Sequence, residues 1–500
     1  MMIATKDFLA EIEALAEARK QEILNFPDSE DFAGAVYYVS ADGDDDNDGR
    51  SPESAWKTLR KVSSFDFCEG DAVRFRRGDI FRGCVKTRPG VKYCAFGEGE
   101  KPKLYGSEKN LADPELWELY DPVKNIWRLR EPILDCGTLV FGGDGLHSRK
   151  LIPSYRNGKF VCRYDEEKDF VIADEMTRDL DIFCKYDEKT TVKPSKGEDF
   201  PIPDLGWDAY GELYLRCDAG NPGAVFSSIE ALARRHMFFV GSDHNVTIEN
   251  LCLKYIGTHA ISSGGHVLSL HVSGCEIGWV GGAIQHYAGT DPNYPEGRRG
   301  SVTRYGNGVE VYGGCDDYVV KNCYIYQVYD AGITHQKTTN GKPVEMKNIK
   351  YLRNLIEYCV YSIEYFLDEN MGVDGSIVEN CEIAENILRF SGFGWGQQRH
   401  NTHTPAHVKG WSYTNTARDF SIHNNIFDRA AYRMIHTVAL EESSCPEMYE
   451  NSYVQNLSSP LGQYGGNRET EPHNVVFDEN AEKAVAEYLK DRDARVYIIK

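Results

Sequence analysis

The chain has 500 residues, a hydrophobic fraction of 41% and a formal net charge of −21 at pH 7. Nucleic acids and anionic membrane surfaces are bound through basic stripes that displace counterions, so this charge argues against both as partners. It also disfavours a polyanionic substrate such as a polyuronate, unless a local basic cleft overrides the total. No stretch approaches the roughly 20 apolar residues that span a bilayer, so no membrane partner is expected.

Residues 1–30 predict a capping helix. Phe8, Ile12 and Ile23 fall near one face at a spacing of three to four residues, and Thr5 is a suitable N-cap. The segment lacks the basic start, apolar core and small-residue cleavage site of a secretory signal. Without such a signal, the 14 cysteines are expected to be reduced thiols, which predicts a cytoplasmic protein.

Residues 31–110 predict the first coils of a longer repeat. The stretch "YYVSADGDDDNDGRSPESAWKTLRKV" places a strand before an acidic loop, and "GDAVRFRRGDIFRG" adds further strand pattern. The run Asp42–Asp48 is a candidate structural calcium loop, with a solvated turn as the favoured alternative. Between residues 111 and 230 the repeat is absent, and pieces such as "NIWRLR" predict an inserted β-rich subdomain.

From residue 231 to residue 475 an apolar, polar, Asn pattern recurs, as in "VVKNCYIYQVYDAGITH". The aligned residues are Asn250, Gly274, Asn322, Asn354, Asn380, Asn424 and Asn451. A unit of about 24 residues with short strands cannot bury its apolar face alone, so successive units are expected to stack as a solenoid. Asn tolerates left-handed backbone, and its amide can bond along the stack. We therefore expect these residues to form one line of bends.

Each coil is expected to carry the Asn segment, a second strand and a third strand. The second strands read "AISS", "AIQHY", "GITHQ", "SIEYF" and "RMIHTV", and the third strands include "HVLSL", "GVEVYG" and "HVKGWS". Over residues 231–475 the chain resembles the right-handed parallel β-helix superfamily typified by pectate lyases. The resemblance implies an all-β fold, a right-handed parallel β-helix solenoid, with an inserted β-rich subdomain and with helical caps at residues 1–30 and 476–500.

The largest insertions, 287–306 and 391–410, follow second strands, and shorter ones lie at 337–345 and 367–374. Stacking would bring them together as the walls of a pocket over the outward residues of the second strands. Aromatic, amide and imidazole side chains in this region complement the ring faces and hydroxyls of a sugar. The candidate substrate-binding residues are Gln285, His286, Tyr287, Arg299, Arg304, His335, Gln336, Trp395, Gln398, Arg399, His400, His403 and His436.

Hydrolysis of a glycosidic bond needs two carboxyl groups. The candidates are Asp330, in the turn before "GITH", and Glu364, one coil further on, with Asp368 as a substitute. Trp395 and Tyr287 are expected to shield the acid and thereby raise its pKa. Zinc binding by His400, His403 and His407 is disfavoured, because zinc loops usually add cysteine or carboxylate at a defined spacing. No metal ion is therefore expected at this site.

The resemblance implies a glycoside hydrolase similar to the β-helix families 141 and 120, which would act on an oligosaccharide without a cofactor. A polysaccharide lyase or uronate epimerase is the alternative, with Arg299, Arg304, His335 and Arg399 available as base or as partners of a uronate carboxylate. A third possibility is a glycan-binding solenoid without activity. Fold alone does not choose among them. The sequence also leaves open the sugar, the stereochemistry and self-association.

Overall fold

The fold is a parallel β-helix, as predicted. The structure is a computed structural model that describes residues 2–156, 159–162, 165–186, 191–192, 202–203, 210–287, 302–338, 342–368, 375–399, 405–410, 417–439, 442–466 and 475–500. Within these ranges, successive coils stack in parallel and contribute strands to three sheets. One coil, for example, runs through Cys315–Lys321, Tyr324–Val328 and Ala331–Thr338, which belong to the first, second and third sheet.

The strands of each sheet follow one another along the stack. In the first sheet they are Val36–Val39, Ala72–Arg76, Lys92–Phe96, Val246–Glu249, Val267–Ser273, Cys315–Lys321, Glu345–Leu352, Ile377–Ala384, Ala417–His423 and Glu447–Tyr449. In the second they are Ile80–Arg82, Lys103–Tyr105, Cys252–Ile256, Glu276–Val280, Tyr324–Val328, Leu355–Glu357, Ile387–Arg389, Ile426–Asp428, Ser452–Asn456, Arg495–Ile499 and Met2–Ile3. In the third they are Val85–Lys86, Phe238–Phe239, Ile261–Ser263, Val309–Tyr312, Ala331–Thr338, Tyr361–Asp368, Ala406–Gly410, Arg433–Ala439, Pro460–Gly466 and Val475–Val476.

The N-terminal helix, Lys6–Leu24, begins at the predicted N-cap Thr5. It runs along the side of the stack, not over an end. Phe8 stacks on Tyr497 of the last second-sheet strand at 4.0 Å between ring centroids, and Ile23 is buried near the other end of the helix. The helix therefore covers part of the outer face of the second sheet.

Four further helices and four 3-10 turns complete the regular structure of the described residues. The helices are Leu59–Ser64, Ile172–Glu175, Pro222–Val225 and Ala481–Tyr488, and the 3-10 turns are Pro52–Ser54, Pro114–Leu116, Trp395–Gln398 and Glu442–Ser444. In the described part of the chain, no helix has the length and apolar character needed to cross a membrane.

A separate sheet follows the first coils in the chain. Its strands are Trp117–Asp121, Ile126–Leu129, Ile133–Leu134, Arg149–Lys150, Asp181–Tyr186 and Tyr210–Arg216. Shorter ladders consist of Ser154–Arg156, Lys159–Cys162 and Asp165–Asp169, and of Thr191–Val192 with Ile202–Pro203. The strands Cys136–Phe141, Leu146–His147 and Ile229–Ala233 extend the second sheet. Through these strands, the inserted residues are joined to the side of the β-helix.

The asparagines do not form the single line that the sequence predicted. Asn250, Asn322 and Asn424 do occupy the corner between the first and second sheets, each with φ between 49° and 63°. Asn354, however, lies one residue beyond the corner, in a buried ladder where its backbone N–H donates to Asn386 Oδ1 at 2.9 Å. Asn425 and Asn451 continue this ladder at 3.0 Å. Asn380 lies inside the first-sheet strand Ile377–Ala384, also with positive φ.

Inward apolar residues of the three sheets form one continuous core. In the third sheet the inward column is Ile261, Val309, Ile333, Ile363, Val408 and Ile435. All six are fully buried, and burial of an Ile or Val side chain contributes about 1.5–3 kcal/mol to the stability of the fold. This column fixes the register, so the neighbouring residues of the same strands must face outward.

Candidate functional site

The outer face of the third sheet carries a column of side chains that is polar from its second member onward. In register along the stack, the column consists of Phe239, Ser262, Glu310, Thr334, Glu364, Lys409, His436 and Gln463. Alternation along each strand places these residues opposite the inward isoleucines and valines. The predicted residues Glu364 and His436 therefore lie on the outer face, together with Glu310 and Lys409, which the sequence analysis did not single out.

Glu310 contributes a buried carboxyl group with a raised pKa to this column. It is 6% exposed and accepts hydrogen bonds from Asn307 Nδ2 at 2.6 Å and from Gln336 Nε2 at 2.9 Å. Burial raises the pKa of Glu310 to about 7, the negative charge of Asp330 adds to the rise, and the two amide donors oppose it. A carboxyl group with such a pKa still carries a proton near neutral pH, as a general acid must.

His259 lies beside Glu310 and is held in one tautomer. Its Nδ1 accepts a hydrogen bond from the backbone N–H of Asn307 at 2.9 Å. The ring hydrogen of the neutral imidazole is therefore on Nε2, which lies 3.3 Å from Oε1 of Glu310. Burial lowers the pKa of His259 to about 3, so the ring stays neutral and acts toward Glu310 as a donor.

Asp330 lies in the turn before the strand Ala331–Thr338, as predicted. Its carboxylate forms an ion pair with Arg399. The guanidinium of Arg399 also lies 5.8 Å from the centroid of the Tyr361 ring. Glu364 follows on the same strand as Tyr361 and is 5% exposed. Asp330, Glu364 and Arg399 thus lie next to Ala331–Thr338, the strand that follows the Glu310 strand in the third sheet.

Basic groups continue the column beyond Glu364. Lys409 is the register neighbour of Glu364 on the next strand. Its Nζ lies 3.2 Å from Nδ1 of His436. The same Nδ1 atom lies 2.8 Å from the backbone oxygen of Gly410. Arg433 is buried at the start of the His436 strand and donates to Gln463 at 3.1 Å. The outer face therefore changes from acidic to basic along the stack.

His335 was expected on the floor of the site, but it faces the core. Its Nδ1 lies 2.8 Å from the hydroxyl of Tyr351, and its ring stacks on Tyr365 at 5.7 Å. Burial lowers its pKa to about 3. His407 is also internal, with Nδ1 at 2.8 Å from Ser391 Oγ. Neither imidazole can contact a substrate on the outer face.

Three predicted binding residues instead donate to backbone oxygens, and two of these oxygens belong to the inserted residues 111–230. Trp395 is 2% exposed and donates to the backbone oxygen of Gln327 at 2.7 Å. Arg304 donates to the backbone oxygen of Gly137 at 2.9 Å, and Gln398 donates to that of Ser148 at 2.8 Å. Arg399 comes directly after Gln398, so the same segment reaches from the insertion to Asp330.

The remaining predicted positions are described in part or not at all. Gln336 bonds Glu310, as stated above, whereas Gln285 is exposed on the hairpin Ala283–Tyr287 with Val302–Tyr305. For His286, Tyr287 and Asp368 only the backbone is described, and Arg299, His400 and His403 lie outside the described residues. Their roles stay predictions.

Two carboxylates of the candidate calcium loop, the acidic run Asp42–Asp48, are held by protein partners. Asp42 pairs with Arg76 at 2.6 Å. Asp45 accepts from the backbone N–H groups of Lys57 and Thr58 at 2.9 Å. These two carboxylates turn toward different partners, and calcium binding by the run stays a prediction. Within the described ranges, no group of three or more His, Cys, Asp or Glu side chains is arranged to hold a metal.

No protein-family model and no curated protein matches the chain. Among solved structures, the complex of XylC with xylose is 12% identical, with 93% of this chain and 82% of that chain covered and a TM-score of 0.42. A glycoside hydrolase is 11% identical, with 93% and 96% covered and a TM-score of 0.42. A rhamnogalacturonan lyase is 10% identical, with 93% and 87% covered and a TM-score of 0.36. Similarity at this level does not transfer an activity to the chain.

Proposed function

We propose that the protein is a carbohydrate-active enzyme, and specifically a glycoside hydrolase that uses Glu310 as the general acid. The observation that carries this proposal is the raised pKa of Glu310, about 7, on the same face as the carboxylates of Asp330 and Glu364. Glycoside hydrolysis needs one protonated and one ionised carboxyl group. Asp330 forms an ion pair with Arg399, whereas Glu310 is hydrogen-bonded by two neutral amides, so the two carboxyl groups lie in different electrostatic environments.

In this mechanism Glu310 gives its proton to the oxygen of the leaving sugar. Asp330 or Glu364 acts as base or nucleophile on the other side of the scissile bond. Asn307 and Gln336 orient the Glu310 carboxyl, and once it has lost its proton they stabilise the carboxylate by hydrogen bonding. Arg399 holds Asp330 in place, because a guanidinium presents its donors in a fixed plane.

The test is turnover of a panel of aryl glycosides and oligosaccharides by the wild type and by Glu310→Gln. Loss of a general acid is expected to lower turnover by about 10²–10⁴-fold for substrates with a poor leaving group. Substrates with an acidic phenol as leaving group need no proton, so Glu310→Gln should retain most of its activity on them. Asp330→Asn and Glu364→Gln should identify the base or nucleophile. The variant that lacks this group should lose activity on both kinds of substrate.

Glu357→Gln is a matched control. Glu357 is also a buried glutamate whose pKa is raised by burial, but it lies in the second sheet and pairs with Arg389 at 2.9 Å. Its replacement should affect stability and leave turnover unchanged. A wild type that binds glycans but hydrolyses no member of the panel would contradict the hydrolase proposal and favour the glycan-binding solenoid.

A polysaccharide lyase or uronate epimerase is the second candidate, favoured by Lys409, the register neighbour of Glu364, and by Arg433 further along the same face. Such enzymes neutralise a uronate carboxylate and remove the adjacent proton with a base. A lyase would release an unsaturated sugar, which absorbs in the ultraviolet. Incubation with polyuronates therefore separates the two activities: new absorbance indicates a lyase, and reducing ends without absorbance indicate a hydrolase.

A further inference from the structure

Thr334 lies between Glu310 and Glu364 in the outward column of the third sheet. Its side chain is fully buried, and its hydroxyl has no hydrogen-bond partner among the described residues. A buried hydroxyl without a partner destabilises a protein measurably, so most such groups bind protein or ordered water. A hydroxyl in this state between two carboxylates indicates a position where a small polar ligand completes the hydrogen bonding.

Tyr361 provides a second hydroxyl of the same kind. Its side chain is fully buried, and within the described ranges its Oη has no partner. The residue stands three positions before Glu364 on the same strand, and its ring faces the guanidinium of Arg399. Nε of Arg399 is likewise without a partner in the part of the chain that the structure describes. Unbonded donors thus lie next to Asp330 and Glu364.

Thr437 shows that a partnerless threonine alone does not make a site. Its hydroxyl is also fully buried and unbonded within the described residues. However, it belongs to the inward column of the third sheet, next to Gly410 and Tyr464 in register. It therefore has the same local defect as Thr334 but no carboxylate neighbour in that column. This difference makes Thr437 the matched control for Thr334.

We propose that Thr334 and Tyr361 bind the water molecule that is consumed in hydrolysis, next to Glu364 and opposite Glu310. This proposal rests on the hydrolase function proposed above. The water oxygen forms a bond to the anomeric carbon and gives a proton to Glu364. The bond between that carbon and the glycosidic oxygen breaks, and the departing oxygen takes the proton of Glu310. Water is the only co-reactant, so atoms and charges balance.

The test compares Thr334→Val, which keeps the shape but removes the hydroxyl, with Thr334→Ser, which keeps the hydroxyl. For Thr334→Val we expect kcat to fall by about 10–100-fold, the effect of losing one or two hydrogen bonds to the reacting water. KM should stay the same, and the melting temperature should change little, because valine keeps the shape of threonine. Thr334→Ser should retain kcat near the wild type. Tyr361→Phe should also lower kcat without raising KM.

Thr437→Val should leave kcat unchanged, and its melting temperature should be equal or higher, because it removes a buried hydroxyl to which no ligand is assigned. If Thr334→Val keeps the kcat of an active wild type, or raises KM with unchanged kcat, the water-binding proposal is wrong while the hydrolase function stands. The second of these outcomes would assign Thr334 to a sugar hydroxyl instead. A wild type that hydrolyses no glycoside would overturn the hydrolase function itself, and the water-binding role with it.

Discussion

Replacement of Glu310 by glutamine should change how stability depends on pH. The pKa of Glu310 is raised from 4.5 to about 7 in the folded protein. Between these values the folded protein holds a proton that the unfolded chain has released, so the folded state loses stability as pH rises through this window. A shift of this size corresponds to about 3 kcal/mol of unfolding free energy. The wild type should therefore be less stable at about pH 8 than at about pH 5 by this contribution.

Glutamine cannot ionise, so Glu310→Gln removes this contribution. Its amide group also places a donor where Asn307 and Gln336 already donate, which lowers stability by a similar amount at every pH. The informative quantity is therefore the difference in unfolding free energy between the variant and the wild type. We expect that difference to move by about 3 kcal/mol in favour of the variant from about pH 5 to about pH 8.

The assay is urea unfolding of both proteins, followed by tryptophan fluorescence at several pH values across this window. Glu98→Gln, at an exposed position, is the control and should show no such pH-dependent difference. A constant difference between Glu310→Gln and the wild type would mean that Glu310 is already ionised in the folded protein throughout the window. In that case it could not serve as the proton donor near neutral pH.

Three further predictions concern the ion pair, the ladder and the stereochemistry. Arg399→Gln leaves the carboxylate of Asp330 unpaired, so it should lower turnover and reduce the unfolding free energy by about 3 kcal/mol. The control Arg353→Gln, at a residue in exposed ion pairs, should reduce the unfolding free energy by less than about 1 kcal/mol. Urea unfolding and turnover assays measure both effects. Asn386→Ala removes the acceptor of the Asn354 backbone N–H and should reduce the unfolding free energy by about 3 kcal/mol with unchanged turnover. A loss of turnover would contradict a purely structural role of the ladder. Glu310 and Glu364 lie two strands apart, which separates their backbones by about 10 Å; this predicts inversion at the anomeric carbon, and a retained configuration in the product NMR spectrum would favour Asp330 as the partner.

The coils could be predicted because their apolar and polar columns repeat, but the positions of the asparagines could not. Asn is suited both to the left-handed corner, as at Asn322, and to the buried ladder one residue later, as at Asn354. In both cases the sequence shows the same apolar, polar, Asn pattern. Only the register between coils separates the two positions, and register depends on contacts between residues far apart in the chain.

For the site, strict alternation of inward and outward side chains along a strand predicts correctly which residues of the third sheet face outward. It placed Glu364 outward beside the inward Ile363, as observed. The same alternation places His335 inward with Ile333, so the expectation of an outward His335 departed from the pattern. Glu310 was missed because the strand "GVEVYG" was assigned to a different sheet from "GITHQ". The preceding segment "AIQHY" has the same pattern but forms a hairpin, and sequence alone does not distinguish the two.

The net charge of the whole chain gives little information about the electrostatics of this face. The total of −21 argued against an anionic substrate, yet Lys409 is the register neighbour of Glu364, and Arg399 and Arg433 lie on the same side of the third sheet. Charges beyond a Debye length, about 8 Å at physiological ionic strength, are largely screened. A sugar carboxylate at this face would therefore interact mainly with these nearby groups and only weakly with the distant acidic surface. Uronate-containing substrates consequently belong in the same screen as neutral glycosides.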